Sequence, residues 1–96
     1  MPGTVTIGAP VDLVDGAAGL SGMWQVVLFN DDHNSAWHVV ACLRCVFGHN
    51  EQSAFKGMME AHTRGRAIAE VEDKPKAQLH KDQLQSFGLT AAIEAI

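Results

Sequence analysis

The chain has 96 residues, of which 47% are hydrophobic and 19% are charged, and its formal net charge is −4. This length predicts one small domain with a thin core and excludes two separate cores. Seven basic against eleven acidic side chains argue against a nucleic-acid-binding surface, which needs a basic face. No apolar run approaches the ~20 residues of a membrane span, so a membrane is not expected as a partner either.

The first part of the chain carries only acidic or neutral side chains, because the first basic residue is Arg44. This pattern excludes a secretory signal, which starts with basic residues, and an Arg-rich mitochondrial transit peptide. Two cysteines three positions apart, Cys42 and Cys45, make no disulfide framework, so a cytoplasmic protein is expected. Residues 1–22 hold five of the nine glycines and two of the three prolines. That composition predicts a flexible leader before a folded core at residues 23–96.

The first predicted element is a strand from Trp24 to Phe29, a short run of apolar, β-branched and aromatic residues. The polar segment Asn30-Asp-Asp-His-Asn-Ser35 follows, and its residue types favour a turn and a helix cap. A helix is predicted over residues 36–47, because apolar side chains recur there at intervals of three and four before Gly48.

A second helix is predicted to start at His49 or Asn50 and to end at Gly65, with Glu51 favourably placed in its first turn. Its apolar stripe is predicted to consist of Phe55, Met58, Met59 and His62. The spacing of this stripe places the histidine on the same helix face as the apolar side chains.

The rest of the chain predicts a strand, a helix and a last strand. Residues 66–71 alternate with a period of two, as a half-exposed strand does. Asp73 and Pro75 mark the start of a third helix that reaches about Phe87, and residues 89–94 form the last strand. The order β-α-α-β-α-β predicts an α+β two-layer sandwich with a three-stranded antiparallel sheet.

The polar segment after the first strand and the histidine of the second helix are the candidates for chemistry. Turn formation and a core histidine are the plain alternatives for them. Two adjacent carboxylates, Asp31 and Asp32, nevertheless repel each other, which indicates a place for a cation. An ammonium ion has three N–H donors and no acceptor. If the segment lies over the face of His62, an amide oxygen, a carboxylate and a neutral imidazole nitrogen would match those donors.

The sequence resembles the ClpS adaptor family in three blocks: Trp24-Gln-Val-Val-Leu-Phe-Asn-Asp-Asp-His-Asn-Ser35, Met58-Met-Glu-Ala-His-Thr-Arg-Gly-Arg-Ala67 and Gly88-Leu-Thr-Ala-Ala-Ile-Glu94. The resemblance runs from about Met23 to the C-terminus. It implies a monomeric, non-catalytic adaptor without a metal or cofactor, which binds the free N-terminal residue of N-degron substrates, usually Leu, Phe, Tyr or Trp. It also implies delivery of these substrates to a Clp-type AAA+ unfoldase, ClpA or ClpC, with its ClpP peptidase.

The resemblance also implies a role for individual residues. Asn30, Asp32 and His62 would hold the α-ammonium group of the substrate, with Asp31 beside them. The side-chain pocket would be lined by Asn34, Ala36, Val39, Met58, Ala61 and, from the last strand, Leu89. The leader resembles the flexible N-terminal extension of the family, which engages the unfoldase.

Two small residues depart from the pattern of the family. It often has a large apolar residue where this chain has Ala36, and commonly valine where this chain has Ala61. The pocket is therefore expected to be wider than usual, with a broadened choice of first residue, or to be refilled by Trp37 or Met59.

Three other functions are compatible with parts of the sequence. Cys42 and Cys45, with His49 nearby, look like half of a zinc site, but no second pair follows and packing explains them better. Asp32 and His62 could form an acid–base pair, yet no activated nucleophile accompanies them, so an enzyme is not expected. The structural alternative is a protein-interaction domain similar to the C-terminal domain of ribosomal protein L7/L12, without N-degron binding.

Overall fold

The computed structural model describes residues 22–96, so the predicted leader lies outside the described residues except for Gly22. The elements in chain order are β1 (Met23–Phe29), α1 (Ala36–Phe47), α2 (Glu51–Arg64), β2 (Arg66–Asp73), α3 (Lys74–Ser86) and β3 (Ala91–Ala95). This order confirms the predicted α+β sandwich. Within residues 22–96, no helix combines the length and the apolar character needed to cross a bilayer.

The first strand is the centre of the sheet. β1 pairs antiparallel with both neighbours in the order β2-β1-β3, as predicted. Two backbone hydrogen bonds hold its end from both sides: Phe29 N–H donates to Thr90 O at 2.9 Å and Asn30 N–H donates to Gly65 O at 3.0 Å. The polar segment therefore leaves the sheet between the end of α2 and the start of β3.

Each helix starts at a side-chain cap, where the sequence left Ser35 or Asn34 open for the first helix and His49 or Asn50 open for the second. Ser35, Asn50 and Asp73 each accept a hydrogen bond from the backbone N–H three residues further on. The first two helices end at glycines in the left-handed conformation, Gly48 with φ 74° and Gly65 with φ 90°, which a side chain would disfavour. The turn at Gly65 leads directly into β2 and sets the end of α2 beside the end of β1.

The core lies between the helices and the sheet and is built from aliphatic side chains. The largest fully buried ones are Leu28, Leu43, Leu84, Val26 and Val27. Burying side chains of this size contributes about 1.5–3 kcal/mol each. The core thus fixes the positions of β1, α1 and α3, on which the site depends.

The predicted apolar stripe of α2 is only partly correct. Met58 is buried, but its buried companions are Ala54 and Ala61, whereas Phe55 is 45% exposed and Met59 is 37% exposed. The small alanine side chains let α2 lie close against β2, so the helix turns them inward and leaves the larger side chains outside.

The predicted start of the last strand is wrong by two residues. Leu89 lies in the connection between α3 and β3, where its N–H donates to Leu84 O at 3.1 Å. Gly88, with φ 89°, turns the chain at this point. Because the end of α3 still engages Leu89, extended pairing with β1 begins only at Ala91.

Candidate functional site

A pocket of about 270 Å³ lies between the segment after β1, the N-terminal half of α1 and the C-terminal half of α2. It is lined by twelve residues: Leu28, Phe29, Asn30, Asp31, Asp32, Asn34, Ala36, Val39, Met58, Ala61, His62 and Leu89. All ten residues that the sequence analysis assigned to a binding site are among these twelve. Their assigned roles in binding a substrate stay predictions.

The inner wall of the pocket is apolar. Met58 and Ala61 of α2 and Leu89 of the α3–β3 connection are buried, and Val39 of α1 is half-buried. Ala36, in the first turn of α1, is exposed at the mouth. A wall of this kind favours an apolar side chain, because water is displaced from apolar surface on both partners.

The two large residues that the sequence analysis considered as fillers of the pocket, Trp37 and Met59, do not fill it. Neither Trp37 nor Met59 lines it. Trp37 is 68% exposed, because it projects from a side of α1 other than that of Ala36 and Val39. The space that the small side chain of Ala36 leaves at the mouth therefore stays open.

Three polar side chains at the mouth have no partner in the part of the chain that the structure describes. Asn30, Asp32 and His62 are exposed, and within residues 22–96 their side chains make no hydrogen bond or ion pair. The backbone bond between Asn30 N–H and Gly65 O brings the start of the segment to the end of α2, three residues beyond His62. Three potential acceptors are thus collected beside an apolar wall.

Asp31 is different, because its carboxylate is already engaged. Oδ1 accepts from His33 N–H at 2.9 Å and from Asn34 N–H at 3.1 Å. Oδ2 accepts from Thr90 Oγ1 at 3.2 Å, and Asn34 Nδ2 donates to both oxygens at 3.0 and 3.1 Å. Partial burial acts to raise the pKa of this carboxyl, but the hydrogen bonds outweigh it and lower the pKa below its usual range.

Asn34 likewise does more than line the pocket. Besides its bonds to Asp31, its Nδ2 donates to Gly88 O at 2.9 Å, in the turn between α3 and β3. The amide nitrogen of Asn34 is therefore committed to holding two parts of the chain together.

Two lining residues were missed by the sequence analysis, Leu28 and Phe29 of β1. Leu28 is 2% exposed and belongs to the hydrophobic core, so its apolar character marked it only as a strand residue. Its position two residues before Asn30 was the available signal, because the end of a strand and the segment that follows it share the same edge of the sheet.

The two cysteines differ in their exposure. Cys42 is buried with its Sγ 3.6 Å from His38 Nε2, whereas Cys45 is exposed. Burial raises the pKa of the Cys42 thiol, and the neighbouring Cys45 adds to the rise, so a reactive thiolate is disfavoured. In residues 22–96, no group of three or more His, Cys, Asp or Glu side chains is placed to hold a metal ion. Packing therefore accounts for Cys42.

Comparison with known proteins gives a consistent result. Residues 20–92 match the family model described as ATP-dependent Clp protease adaptor protein ClpS. The chain is 39% identical over 75 residues to the ATP-dependent Clp protease adapter protein ClpS of Synechococcus sp. (strain CC9902), covering 77% of this chain and 72% of that protein. It is 27% identical over 86 residues to the protein of the same name from Mycobacterium tuberculosis, covering 90% of this chain and 79% of that protein.

A solved structure is also similar. It is that of Agrobacterium tumefaciens ClpS2 bound to L-phenylalaninamide, with a TM-score of 0.76 and 26% sequence identity. The match covers 78% of this chain and 98% of that chain. The backbone fold of the matched part of this chain therefore recurs in a protein of known structure.

Proposed function

This chain belongs to the ClpS family of ATP-dependent Clp protease adaptors, and from that premise we propose that its pocket binds the free N-terminal residue of a substrate protein. One observation carries the proposal: Asn30, Asp32 and His62, whose side chains have no partner within residues 22–96, border a pocket whose inner wall is apolar. An N-terminal residue combines the two matching features, a cationic α-amino group and a side chain on the next atom.

The polar mouth of the pocket suits an α-ammonium group. A free α-amino group has a pKa near ~8 and is mostly protonated at neutral pH. It then has three N–H donors, which the amide oxygen of Asn30, the carboxylate of Asp32 and a ring nitrogen of His62 can accept. An acetylated terminus or an internal peptide nitrogen lacks the charge and two of the donors. A site built around such donors rejects analogues without them by ~10⁴-fold.

The apolar wall suits the first side chain of the substrate. Contact with Val39, Met58, Ala61 and Leu89 would supply roughly 1.5–3 kcal/mol for a buried Leu or Phe side chain. One methylene more or less in such a pocket changes affinity only ~10–200-fold. We therefore propose strict selection for a free terminus and looser selection for the side chain, with the open space at Ala36 admitting bulkier residues.

The similar solved structure supports this assignment. Its ligand, L-phenylalaninamide, carries a free α-amino group and an aromatic side chain, and its amide replaces the peptide bond that would follow in a protein. That ligand belongs to Agrobacterium tumefaciens ClpS2. For the present chain it supports an N-terminal aromatic residue as one of the first ligands to test.

We further propose that the chain delivers its bound substrate to a Clp-type AAA+ unfoldase, ClpA or ClpC, with ClpP, and that it does so as a monomer without catalysing a reaction. This proposal depends on the family description as a Clp protease adaptor. The pocket itself supports a binding role, because polar acceptors at its mouth border an apolar inner wall.

The test is fluorescence anisotropy with short labelled peptides that begin with Phe, Leu, Trp, Tyr, Ile, Val, Met or Ala. We expect measurable binding of peptides that begin with large apolar residues. The peptide that binds best is then compared with its Nα-acetylated form. Acetylation is expected to remove essentially all affinity, by a factor on the order of 10⁴.

Two outcomes would contradict the proposal. Equal binding of the free and acetylated peptides would show that the ammonium group is not recognised. Absence of binding by every peptide would favour the alternative, a protein-interaction domain similar to the C-terminal domain of ribosomal protein L7/L12 that has no N-degron pocket. A pull-down of ClpA or ClpC from a purified mixture tests the delivery partner separately.

A further inference from the structure

Hydrogen bonds connect the polar segment after β1 to the α3–β3 connection, which contributes Leu89 to the pocket wall. Thr90 Oγ1 donates to Asp31 Oδ2 at 3.2 Å, and Asn34 Nδ2 donates to Gly88 O at 2.9 Å. These two contacts flank Leu89, whose buried side chain lines the pocket. We call the group formed by Asp31, Asn34, Gly88 and Thr90 the latch.

We propose that Asp31, Asn34 and Thr90 are positioning residues, and that Asp31 does not bind the substrate ammonium but holds the acceptor segment against the turn that carries Leu89. The inference rests on the proposed function of the pocket and deepens it. The proposal gives the two adjacent aspartates different roles. Asp32 binds the ammonium group of the ligand, and Asp31 holds the segment that carries Asn30 and Asp32 in position.

The hydrogen bonds of the two aspartates support this division. An ionised carboxylate has about four lone-pair sites. The Asp31 carboxylate already accepts from the backbone N–H groups of His33 and Asn34, from the Asn34 amide and from the Thr90 hydroxyl. These donors occupy the acceptor capacity of Asp31 without a substrate. The Asp32 carboxylate has no such partner within residues 22–96, so its capacity is available to a ligand.

The position of the latch gives it a specific consequence. The latch joins the segment that carries Asn30 and Asp32 to the α3–β3 connection that carries Leu89. Loosening the latch therefore changes the distance between the two parts of the pocket. A substrate that uses both parts, such as one beginning with Phe, loses more affinity than one whose small first side chain hardly uses the wall.

The test compares neighbouring carboxylates by the same isosteric change. Asp31→Asn and Asp32→Asn are measured against peptides that begin with Phe and with Ala, the weaker peptide by competition with labelled Phe peptide. For Asp32→Asn we expect both affinities to fall by a similar factor, so that the Phe-to-Ala ratio stays within about twofold of the unchanged protein. For Asp31→Asn we expect the ratio itself to fall by roughly threefold to tenfold, because a hydrogen-bonded charge is lost from the latch.

A hydroxyl series tests the other end of the latch. Thr90→Val removes the donor to Asp31 and is expected to lower the ratio in the same direction, by roughly threefold. Thr90→Ser keeps the hydroxyl and is expected to restore it. Thr63→Val is the matched control, because the hydroxyl of Thr63 bonds to Met59 O within α2 and not to the latch. This control is expected to leave the ratio unchanged.

A readout without ligand separates positioning from general loss of structure. Phe29 N–H donates to Thr90 O next to the latch, and hydrogen exchange of this amide reports on opening there. In Thr90→Val its exchange is expected to accelerate while the amides of the buried core residues Leu43 and Leu84 keep their protection. Acceleration throughout the chain would mean a merely structural effect and would overturn the positioning role.

The remaining outcomes are distinguishable. If the unchanged protein fails to discriminate free from acetylated peptides, the proposed function itself is overturned, and the positioning role with it. If the unchanged protein does discriminate, but Asp31→Asn and Asp32→Asn lower both peptide affinities in the same uniform way, Asp31 is a ligand of the ammonium group. In that case only the positioning role is overturned.

Discussion

The polar side chains near the two ends of α1 differ in whether they have hydrogen-bond partners. At the N-terminal end, Asn30, Asp32 and His62 stand around the pocket without a partner within residues 22–96. At the C-terminal end, His80 Nδ1 and Glu72 Oε1 lie 2.7 Å apart, with side chains only 20% and 10% exposed. Polar groups that are paired and covered contribute to stability, whereas unpaired groups at a concave surface are available to a ligand.

The C-terminal end also shows that a missing partner alone does not make a site. The ring of Phe47 packs edge-on against His80 at 5.0 Å and stacks with His49 at 5.4 Å. His49 Nδ1 is buried without a hydrogen-bond partner within residues 22–96. Within residues 22–96, His49 is not among the residues that line the pocket at the N-terminal end of α1, unlike the exposed ring of His62. The difference between the two ends is therefore access to a cavity together with free hydrogen-bonding capacity.

The sharpest test of the comparison is removal of His62. Because this ring is exposed and makes no hydrogen bond within residues 22–96, His62→Ala is expected to change the free energy of unfolding by less than about 0.5 kcal/mol. Affinity for a peptide beginning with Phe is expected to fall about tenfold or more, because an acceptor of the ammonium group is lost. Urea denaturation and anisotropy measure the two effects.

Thr63→Ala is the control for this variant, since Thr63 is the next residue of α2 and is also exposed. It is expected to leave the affinity unchanged. If His62→Ala loses stability but keeps its affinity for the peptide, His62 has a structural role and not the binding role that we expect.

Removal of His80 is expected to have the opposite result. His80→Ala breaks the hydrogen-bonded pair with Glu72 and the edge contact with Phe47. We expect a loss of roughly 1–2 kcal/mol in the free energy of unfolding, with peptide affinity within about twofold of the unchanged protein. His33→Ala is the control, because the His33 side chain is exposed and makes no hydrogen bond within residues 22–96. A stability as high as that of the unchanged protein would contradict the structural role of the pair.

Much of the fold followed from local sequence signals. The caps Ser35, Asn50 and Asp73 and the terminal glycines Gly48 and Gly65 act on their own neighbours, so their effect can be predicted without knowledge of the whole fold. Boundaries that depend on distant partners were less accurate. β2 extends to Asp73, beyond the predicted residue 71, because its pairing partner β1 begins at Met23.

The sequence predicted most of the residues that line the candidate site, but not the hydrogen bonds between them. Residue types and family resemblance identified ten of the twelve residues that line the pocket. They did not distinguish Asp31 from Asp32, because the difference lies in Thr90, which is 59 positions along the chain from Asp31. They also placed Met59 on the inner face of α2, because the periodicity of a helix does not state which of two adjacent stripes a partner will cover.

A change in the width of the pocket mouth is expected to have a smaller effect on peptide affinity. Ala36→Met adds a flexible apolar side chain at the exposed edge of the pocket, where this chain has open space. The variant is expected to narrow the choice of first residue, with peptides beginning with Trp or Ile losing about three- to tenfold relative to Leu. The anisotropy panel measures these ratios. Unchanged affinity ratios would show that Ala36 does not determine which first side chains the pocket accepts.

The smallest expected effect concerns the acid stability that Asp31 contributes. Hydrogen bonds in the folded protein lower the pKa of Asp31 below its usual range, so the folded state binds its proton less tightly than the unfolded chain does. The resulting stability is present above the unfolded pKa of about 3.9 and is lost as the pH falls through the lower folded pKa. The deficit in stability of Asp31→Asn is therefore expected to be constant near neutral pH and to shrink below about pH 4.

Urea denaturation between about pH 7 and pH 3 measures this deficit against the unchanged protein. Asp32→Asn is the matched variant at the ligand-facing side, because the Asp32 carboxylate has no hydrogen bond within residues 22–96 for the substitution to remove. A deficit for Asp31→Asn that stays the same at every pH would mean that its carboxylate charge does not hold the latch. Since Asp31 and Asp32 are adjacent, a difference between them in this measurement has its cause in their partners and not in their position along the chain.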